Sequence, residues 1–376
     1  MFLSAISFQP MPVKLKTIYE MAAPYWDNDQ VRPVARKSIR RAINCGEPVL
    51  GAAVYRSDDG EEKVVCNRCK SRACTRCGRR LTQLWLREQF CRLPDMPYLS
   101  VIFTMPDLFW EVFRLNRHLI KDLPAVGGAV IQQFLRQHYG VRALVVVIPH
   151  TFASKLNFNF HLHCCISSSC LDEQTGRRRI EIVQFKEEER KEIMALWRAA
   201  VVTYLRRALA ASLLSPDTKL DMRELKYQSR REWVVLHRYL KSKVAFLNYA
   251  ARYLRRPPIA ECRIVSANQD GVEFEAKIRE ECKVENIKLS LKDFIAAIID
   301  QVPDRYRHAV RYYGLLAPRA KSLAAVFFKL GQERRPRPER LTWADAIKKS
   351  FGIDPLLDSH GHRMKLVSRS FPDRGL

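Results

Sequence analysis

Three histidines lie close together in the chain and could hold a metal ion. His161 and His163 flank Leu162 in a stretch that reads as a β-strand, and His150 ends the strand before it. Because side chains alternate between the two faces of a strand, both imidazoles share one face and the leucine is buried on the other. An antiparallel return brings His150 alongside the pair. A metal ion held by three neutral imidazoles keeps coordination positions open for water and for a substrate oxygen, and a Lewis-acid metal needs such positions.

A His-x-His triplet is by itself equally typical of ordinary half-buried strand residues. The other chemical groups of the chain therefore decide between a metal site and ordinary strand packing. Two tyrosines supply a candidate nucleophile. Tyr249 and Tyr253 are four residues apart in residues 242–256, which predict a helix ended by Pro257 and Pro258. Paired tyrosines at this spacing are also typical of ordinary helix packing.

In the functional interpretation, a phenol attacks phosphorus, and its anion must be stabilised because the pKa of free tyrosine is about 10. A metal ion that polarises the phosphate, together with nearby arginines, reduces the stabilisation that the phenolate anion itself needs. The arginines beside the tyrosines are Arg252, Arg255 and Arg256.

Four cysteines form a third signal. Cys66, Cys69, Cys74 and Cys77 have the spacing C-x2-C-x4-C-x2-C, in which each C-x2-C pair can give two thiolates to one tetrahedral zinc ion. Cys45 is a fifth candidate that replaces Cys66 if the compact spacing is too tight. Basic side chains stand between and after these ligands, so the zinc module would also present cations to phosphates. They are Arg68, Lys70, Arg72, Arg76, Arg79 and Arg80.

The composition favours a polyanion as the partner. Lys and Arg total 65 against 40 Asp and Glu, which gives a formal charge of +25 spread along the 376 residues. Nucleic acid is the first candidate, and a membrane surface is the competing explanation. The sequence has no apolar run of about eighteen residues and no typical cleavable leader, so we expect neither membrane spanning nor export. The eleven cysteines then indicate thiols and metal ligands, not disulfides.

The elements that position these groups predict an α+β fold, with a largely antiparallel sheet and helices packed on one face. A helical span at about 108–139 is expected to break at Gly127 and Gly128. The expected divisions are a basic helical leader at 1–44, a zinc-binding module at 45–95, a strand-rich domain at 96–260 with a helical insertion at about 185–230, an α/β subdomain at 261–322 and a basic tail at 323–376. Residues 334–376 of this tail are expected to form a loose, DNA-contacting extension.

Taken together, these segments resemble the rolling-circle transposases of the insertion-sequence ninety-one family, a branch of the HUH (His-hydrophobic-His) single-strand endonucleases. The likeness runs from about Cys45 to Lys321. In one respect the chain departs from the common pattern, because YRSDDGEE before the cysteines lacks the extra C-x2-C pair of many members. The matching segments are CKSRACTRCG, VIFTMPD, the HTF and NFHLH run, YAARYLRRPPIAECRI and RYYGLLAPRAK.

The resemblance implies a metal-dependent nickase and strand transferase with an antiparallel-sheet HUH domain behind the zinc module. His161 and His163 match the HUH ligands, and His150 is chosen as the third because its spacing is similar to that of conjugative relaxases. The tyrosine positions fall on Tyr249 and Tyr253, and Tyr249 is favoured if only one acts.

The implied cofactors are Mg2+ or Mn2+ at the histidines and Zn2+ at the cysteines. The implied substrates are single-stranded DNA of mobile-element ends and target DNA. Cleavage would give a 5′-phosphotyrosine and a free 3′-OH that the host replication machinery extends, which places the protein in the bacterial cytoplasm at the nucleoid. Two alternatives remain open at this point, a plasmid or phage rolling-circle replication initiator and a non-catalytic zinc-dependent DNA-binding protein.

Overall fold

A computed structural model describes residues 13–182, 184–253, 257–278, 283–305, 307–317 and 323–372. This part of the chain has the predicted α+β fold, with antiparallel sheets and a four-cysteine cluster near its beginning. None of the described helices is long and apolar enough to cross a membrane. The described helices are α1 (Leu15–Met21), α2 (Ala23–Trp26), α3 (Pro33–Ile43), α4 (Thr75–Arg92), α5 (Asp107–Leu115), α6 (Leu123–Tyr139), α7 (Glu187–Ala210), α8 (Met222–Gln228), α9 (Lys243–Ala250), α10 (Leu291–Gln301), α11 (Leu323–Lys329) and α12 (Trp343–Phe351). The described strands are β1 (Ala52–Arg56), β2 (Glu62–Cys66), β3 (Tyr98–Phe103), β4 (Val141–Arg142), β5 (Leu144–Phe152), β6 (Phe158–Ser167), β7 (Ser169–Asp172), β8 (Arg178–Glu181), β9 (Val235–Leu240), β10 (Ile264–Asn268), β11 (Gly271–Ile278), β12 (Lys283–Leu289), β13 (Arg311–Gly314) and β14 (Lys365–Arg369).

An antiparallel five-stranded sheet of order β13-β5-β6-β3-β9 forms the centre of the fold. Because its side chains alternate, Leu162 and Cys164 of β6 face α5, α6 and α7, whereas Cys165 faces a second apolar core. Helices α4 and α9 cover this second face, to which α9 contributes the buried Phe246. The expectation that helices cover only one face was therefore wrong, because the apolar side chains of α4 and α9 pack against the other.

Helix α6 runs unbroken through Gly127 and Gly128, so the predicted break at these glycines was wrong. The interruption lies earlier, where the 3-10 turn Arg117–Lys121 separates α5 from α6. The glycines instead permit close packing on the sheet. A Cβ atom on Gly127 would lie 2.6 Å from Cδ1 of Leu162, and one on Gly128 would lie 2.7 Å from Cδ2 of Tyr313.

Helix α9 is shorter than the predicted helix at 242–256. It begins after Ser242, whose hydroxyl accepts a hydrogen bond from the backbone N–H of Ala245, and it ends at Ala250. Residues 251–253 form a turn that contains Tyr253. The two tyrosines therefore come from a helix and the turn after it, yet their ring centroids lie only 5.1 Å apart.

The first helices share a hydrophobic core with elements far along the chain. Helices α1 and α3 pack with the cysteine-containing loop, with β10 and β11 and with α10. Glu261 links these segments because its Oε1 accepts hydrogen bonds from the backbone N–H of Leu15 and the hydroxyl of Thr75. The division of the chain into leader, zinc module and later subdomain stays a prediction, but the apolar side chains of these segments are buried together.

The tail is folded over much of its described length. Strand β14 pairs with β1, and β1 pairs with β2, which gives an antiparallel sheet of order β14-β1-β2. The expectation of a loose extension was wrong for this segment, because the pairing of Ala53 with Arg369 and of its neighbours satisfies backbone groups of both strands.

The close contact of α6 with the sheet predicts that Gly127→Val destabilises the protein. The valine would meet Leu162 in a packed core, and overpacking of this kind costs about 1–3 kcal/mol. The matched control is Ala129→Val on an exposed position of the same helix, where the cost is limited to helix propensity, below about 0.7 kcal/mol. Urea unfolding of both variants measures the difference, and equal losses would show that the helix tolerates a side chain at Gly127.

Candidate functional site

The pairing of β5 with β6 gathers the three histidines at one end of the central sheet. His150 lies directly opposite His161, and Ile148 lies opposite His163. The three ring centroids are 4.8 Å to 5.6 Å apart. His150 and His163 are buried, and His161 is half-buried. The predicted grouping of these three side chains is therefore present in the fold.

Hydrogen bonds orient two of the imidazoles toward each other. Nδ1 of His161 lies 2.9 Å from the carbonyl oxygen of Asn159, which favours a proton on Nδ1 and leaves the lone pair on Nε2. That Nε2 lies 3.1 Å from Nδ1 of His150. One ligand atom from each of the three histidines lies within 4.8 Å of the others, so the set fits a shared metal ion. Three imidazoles are ligands that transition metals accept more readily than Mg2+ does.

Both predicted tyrosines reach this cluster from α9 and the turn after it. The Tyr249 hydroxyl lies 2.7 Å from Nδ1 of His163. The Tyr253 ring stacks on the His163 ring, with 3.7 Å between centroids and 22° between planes, and its edge approaches His150 at 5.2 Å. A phenol group and three imidazoles are thus assembled from segments about 90 residues apart in sequence, which the antiparallel sheet and α9 make neighbours.

The two tyrosines differ in their environments. Tyr249 is only 4% exposed, and its burial, reinforced by the nearby Cys165 thiol, raises the pKa of its phenol above the ordinary value. Tyr253 is half-buried and lines a cavity of about 50 Å³ together with His150, Thr151 and Arg72. Of the two hydroxyl-bearing side chains, Tyr253 is therefore the one that borders open space beside the histidines.

The cysteine cluster consists of Cys45, Cys69, Cys74 and Cys77, whose sulfur atoms lie within 4.8 Å of one another. The Sγ atom of Cys77 is 3.6 Å from that of Cys45 and 3.5 Å from that of Cys69. A tetrahedron with zinc–sulfur bonds near 2.3 Å has sulfur–sulfur edges of roughly 3.8 Å, so the four side chains fit zinc. Hydrogen bonding among the four thiols lowers the pKa of Cys45 and raises the pKa of Cys69 and of Cys74.

The predicted ligand Cys66 lies outside this cluster, so the primary set with Cys66 was wrong and the alternative with Cys45 takes its place. Cys66 is the last residue of β2, where it pairs with Ala52 of β1. Pairing in the strand holds its side chain away from the loop that carries Cys69, whereas Cys45, just after α3, reaches that loop. The C-x2-C spacing alone does not reveal this, because Cys45 is distant in sequence.

The predicted basic residues divide between two places. Arg72 lines the cavity beside His150 and Tyr253. Arg68, Lys70 and Arg80 instead line a groove of about 990 Å³ between the β14-β1-β2 sheet and α12, which we call the tail groove. Its other basic or aromatic lining residues are Tyr55, Lys63, Trp343, Phe351, Arg369 and Phe371.

The remaining predicted arginines lie elsewhere. Arg76 and Arg79 are exposed on α4, and Arg252 is exposed in the turn after α9. Arg255 and Arg256 lie outside the described residues. Two features could not be predicted from the sequence. The carbonyl of Asn159, which orients His161, is a backbone acceptor and leaves no motif. The tail groove is formed by segments that are far apart in sequence, so it leaves no motif either.

Comparison with known proteins finds two families of described function. A transposase zinc-binding domain matches residues 17–105, and a family described as putative transposase matches residues 145–323. The transposase for insertion sequence element IS801 of Pseudomonas savastanoi pv. phaseolicola is 26% identical over 364 residues, which cover 93% of this chain and 87% of the relative. The putative transposase y4qJ of Sinorhizobium fredii is 25% identical over 303 residues, which cover 76% of this chain and 75% of the relative. No solved structure matches the chain.

The position of Cys45 predicts which thiols hold zinc. Cys45→Ser should lose zinc on dialysis and unfold at a lower temperature, because three ligands remain of a cluster that stabilises the segment. Cys66→Ser, at a half-buried strand end, should keep one zinc ion per chain. Metal content measured by mass spectrometry decides between the ligand set with Cys45 and the set with Cys66. Retention of zinc by Cys45→Ser together with its loss from Cys66→Ser would restore the set with Cys66.

Proposed function

The chain belongs to the transposases of the insertion-sequence ninety-one family, and we propose that it nicks single-stranded DNA at the ends of a mobile element through a tyrosine nucleophile and transfers the strand by a rolling-circle mechanism. The observation that carries this proposal is the contact of both tyrosines with His163, a member of the three-histidine cluster. The two relatives are named transposases, which favours this function over that of a replication initiator.

The histidines would hold Mn2+ or Mg2+, and the bound ion would supply Lewis-acid stabilisation of charge on the attacked phosphate. The chain's own groups orient the site. His161 is held by the Asn159 carbonyl, and His163 is held by Tyr249 and by stacking on Tyr253. Contacts of this kind to the second nitrogen or the face of a ligating imidazole keep the ligand in its binding orientation.

In the proposed cleavage, the phenol oxygen of a tyrosine forms a bond to phosphorus while the bond from phosphorus to the 3′ oxygen breaks. The phenol proton is balanced by the proton that the leaving 3′ oxygen gains. The products are a 5′-phosphotyrosine and a free 3′-OH, and no water is consumed, so the bond can be rejoined to another strand. The 3′-OH would be a primer for the host replication machinery at the bacterial nucleoid.

We assign the first cut to Tyr253 and a positioning role to Tyr249, the reverse of the preference drawn from the sequence. Tyr253 borders the cavity beside His150, so this tyrosine is the one next to open space. Tyr249 is only 4% exposed, and its hydroxyl contacts His163 while the residue does not line that cavity. If His163 binds the metal through Nε2, its Nδ1–H donates to the Tyr249 oxygen at the observed 2.7 Å.

The tail groove supports single-stranded DNA as the substrate. Its lining combines five basic side chains with four aromatic ones and contains no carboxylate among the described residues. Phe351 is 73% exposed and Phe371 is 80% exposed. Basic grooves with exposed aromatic rings bind single strands because phosphates pair with the cations while unpaired bases stack on the rings.

Incubation of the protein with Mn2+ and single-stranded oligonucleotides of the element's ends tests the tyrosine chemistry. A 3′-labelled strand should migrate with the protein on a denaturing gel, and a 5′-labelled strand should be released with a free 3′-OH, because the tyrosine takes the 5′ phosphate. EDTA should abolish the adduct, and Tyr253→Phe should reduce it by at least about 100-fold.

Tyr249→Phe separates nucleophile from positioning residue in the same assay. It should lower adduct yield by about 10–100-fold through weaker metal binding, and raised Mn2+ should restore the yield. Tyr239→Phe, an exposed tyrosine on β9 of the same sheet, is the matched control and should be unchanged. An adduct that survives the Tyr249→Phe/Tyr253→Phe double variant would refute tyrosine catalysis, and loss in Tyr249→Phe without Mn2+ rescue would reverse the two assignments.

The tail groove predicts a separate effect on binding. Phe351→Ala and Phe371→Ala should each weaken binding of a labelled oligo-dT, because a base stacked on an aromatic ring contributes about 1–3 kcal/mol. Phe328→Ala is the control, since Phe328 is 83% exposed in the same tail but does not line the groove. Fluorescence anisotropy at fixed salt measures the three affinities, and equal values would exclude the groove from the DNA path.

A further inference from the structure

A second cavity, of about 80 Å³, adjoins the one beside His150 and Tyr253 and has an unusual concentration of cations. We call it the arginine pocket. Its volume is several times the space that one water molecule needs. The two cavities share Arg72, Pro149, Thr151 and Gln301, so they are continuous around the end of β5. The cationic or titratable bases that line the arginine pocket are Arg72, Arg117, Lys121, Arg307, His308 and Arg311.

The carboxylates near this pocket do not balance its charge. Asp304 lines it, but its Oδ1 accepts a hydrogen bond from Arg32 at 2.5 Å, and its Oδ2 lies 3.7 Å from Nε of Arg117. Asp300 also interacts with Arg117, but its Oδ2 lies 3.8 Å from Nη1 of Arg114 and the residue does not line the pocket. Burial and the adjacent Arg32 lower the pKa of Arg117 to about 10, as expected where cations are crowded.

Several buried N–H groups at the pocket lack acceptors. Within the described part of the chain, Nη1 of Arg307, Nε of Arg311 and Nε2 of Gln301 are buried and have no hydrogen-bond partner. The amide of Gln301 is oriented by Thr151, whose hydroxyl donates to Oε1 and leaves Nε2 as the outward group. Buried donors without acceptors oppose folding, so a site that retains three of them beside excess positive charge is built for an anion.

We infer that the arginine pocket binds a phosphate group, and specifically an internucleotide phosphate of the DNA strand next to the phosphate that is cleaved. This choice of ligand rests on the proposed function. Guanidinium groups match phosphate in charge and in the spacing of their donors, and Gln301, which lines both cavities, adds a neutral donor between them. A strand held at two neighbouring phosphates has a defined register in the site, so the pocket would decide which phosphate faces the tyrosines.

The test measures binding without cleavage, using the full chain with Tyr249→Phe and Tyr253→Phe and no divalent catalytic metal. In this background, Arg311→Gln and Arg307→Gln should each weaken oligo-dT binding by about tenfold. Each should also lower the slope of log affinity against log salt concentration by about 0.7, because that is the value for one lost phosphate contact on a single strand. Arg311→Lys should recover part of the affinity. The matched control is Arg305→Gln, an exposed arginine of the same loop that does not line the pocket, and it should leave both quantities unchanged.

Inorganic phosphate supplies a second, independent readout. It should raise the thermal unfolding midpoint of the parent protein but not that of Arg311→Gln, which without phosphate should unfold at the same temperature or higher because a crowded cation has been removed. A lower midpoint without phosphate would indicate a merely structural arginine and would overturn the inference.

The remaining outcomes separate the ligand sources. If phosphate stabilises the protein through Arg311 but oligo-dT binding ignores the arginine variants, the pocket takes a free phosphate and the DNA assignment is wrong. If phosphate does not raise the unfolding midpoint and the arginine variants do not change oligo-dT binding, the pocket is not an anion site. These results do not depend on adduct formation. Phosphate binding by the pocket can therefore be confirmed even if the tyrosine chemistry is refuted, and the tyrosine chemistry can be confirmed even if phosphate binding is refuted.

Discussion

The antiparallel register of β5 and β6 is the interaction on which the site depends. It places His150 opposite His161 and leaves Leu162 in the core beneath α6. A slip of one residue would turn His161 and His163 into that core and Leu162 out of it, which the burial of both faces makes unfavourable. Gly127 reinforces the register, because the close approach of α6 leaves room for Leu162 and little more. The grouping of the three histidines is thus specified by apolar packing on the opposite face of the same strand.

The zinc cluster and the histidine cluster are connected through one short loop. Arg72 lies between Cys69 and Cys74 in sequence and reaches both cavities near the histidines. Its neighbours are held firmly, since the Ser71 hydroxyl donates to the Ser38 carbonyl and the Tyr19 hydroxyl donates to the Ala73 carbonyl. A loop next to the clustered cysteines therefore presents a cation beside the proposed cleavage site, so this loop and the central sheet line one cavity together.

Local periodicity predicted much of this arrangement, and contacts between distant segments account for the rest. The alternation around Leu162 correctly put His161 and His163 on one face. The choice between Cys45 and Cys66 required knowing that β2 extends through Cys66, and the continuity of α6 required knowing what faces Gly127 and Gly128. Gln301, Arg307 and Arg311 form no motif by themselves, because distant residues such as Arg72 and Arg117 complete the pocket that they line. The folded tail was missed for the same reason, since β14 is stable only through its pairing with β1.

That pairing also sets an order of events during synthesis. Ala53 pairs with Arg369, so more than three hundred residues are made between the two sides of one small sheet. Contacts of such high sequence separation form late. The four clustered cysteines and the histidine-bearing strands all precede β14, so both side-chain clusters can form on a growing chain while the tail groove is still open on one side. A newly made molecule would therefore complete the proposed cleavage site before the proposed binding groove, and the last step of its maturation would be the pairing of β14 with β1.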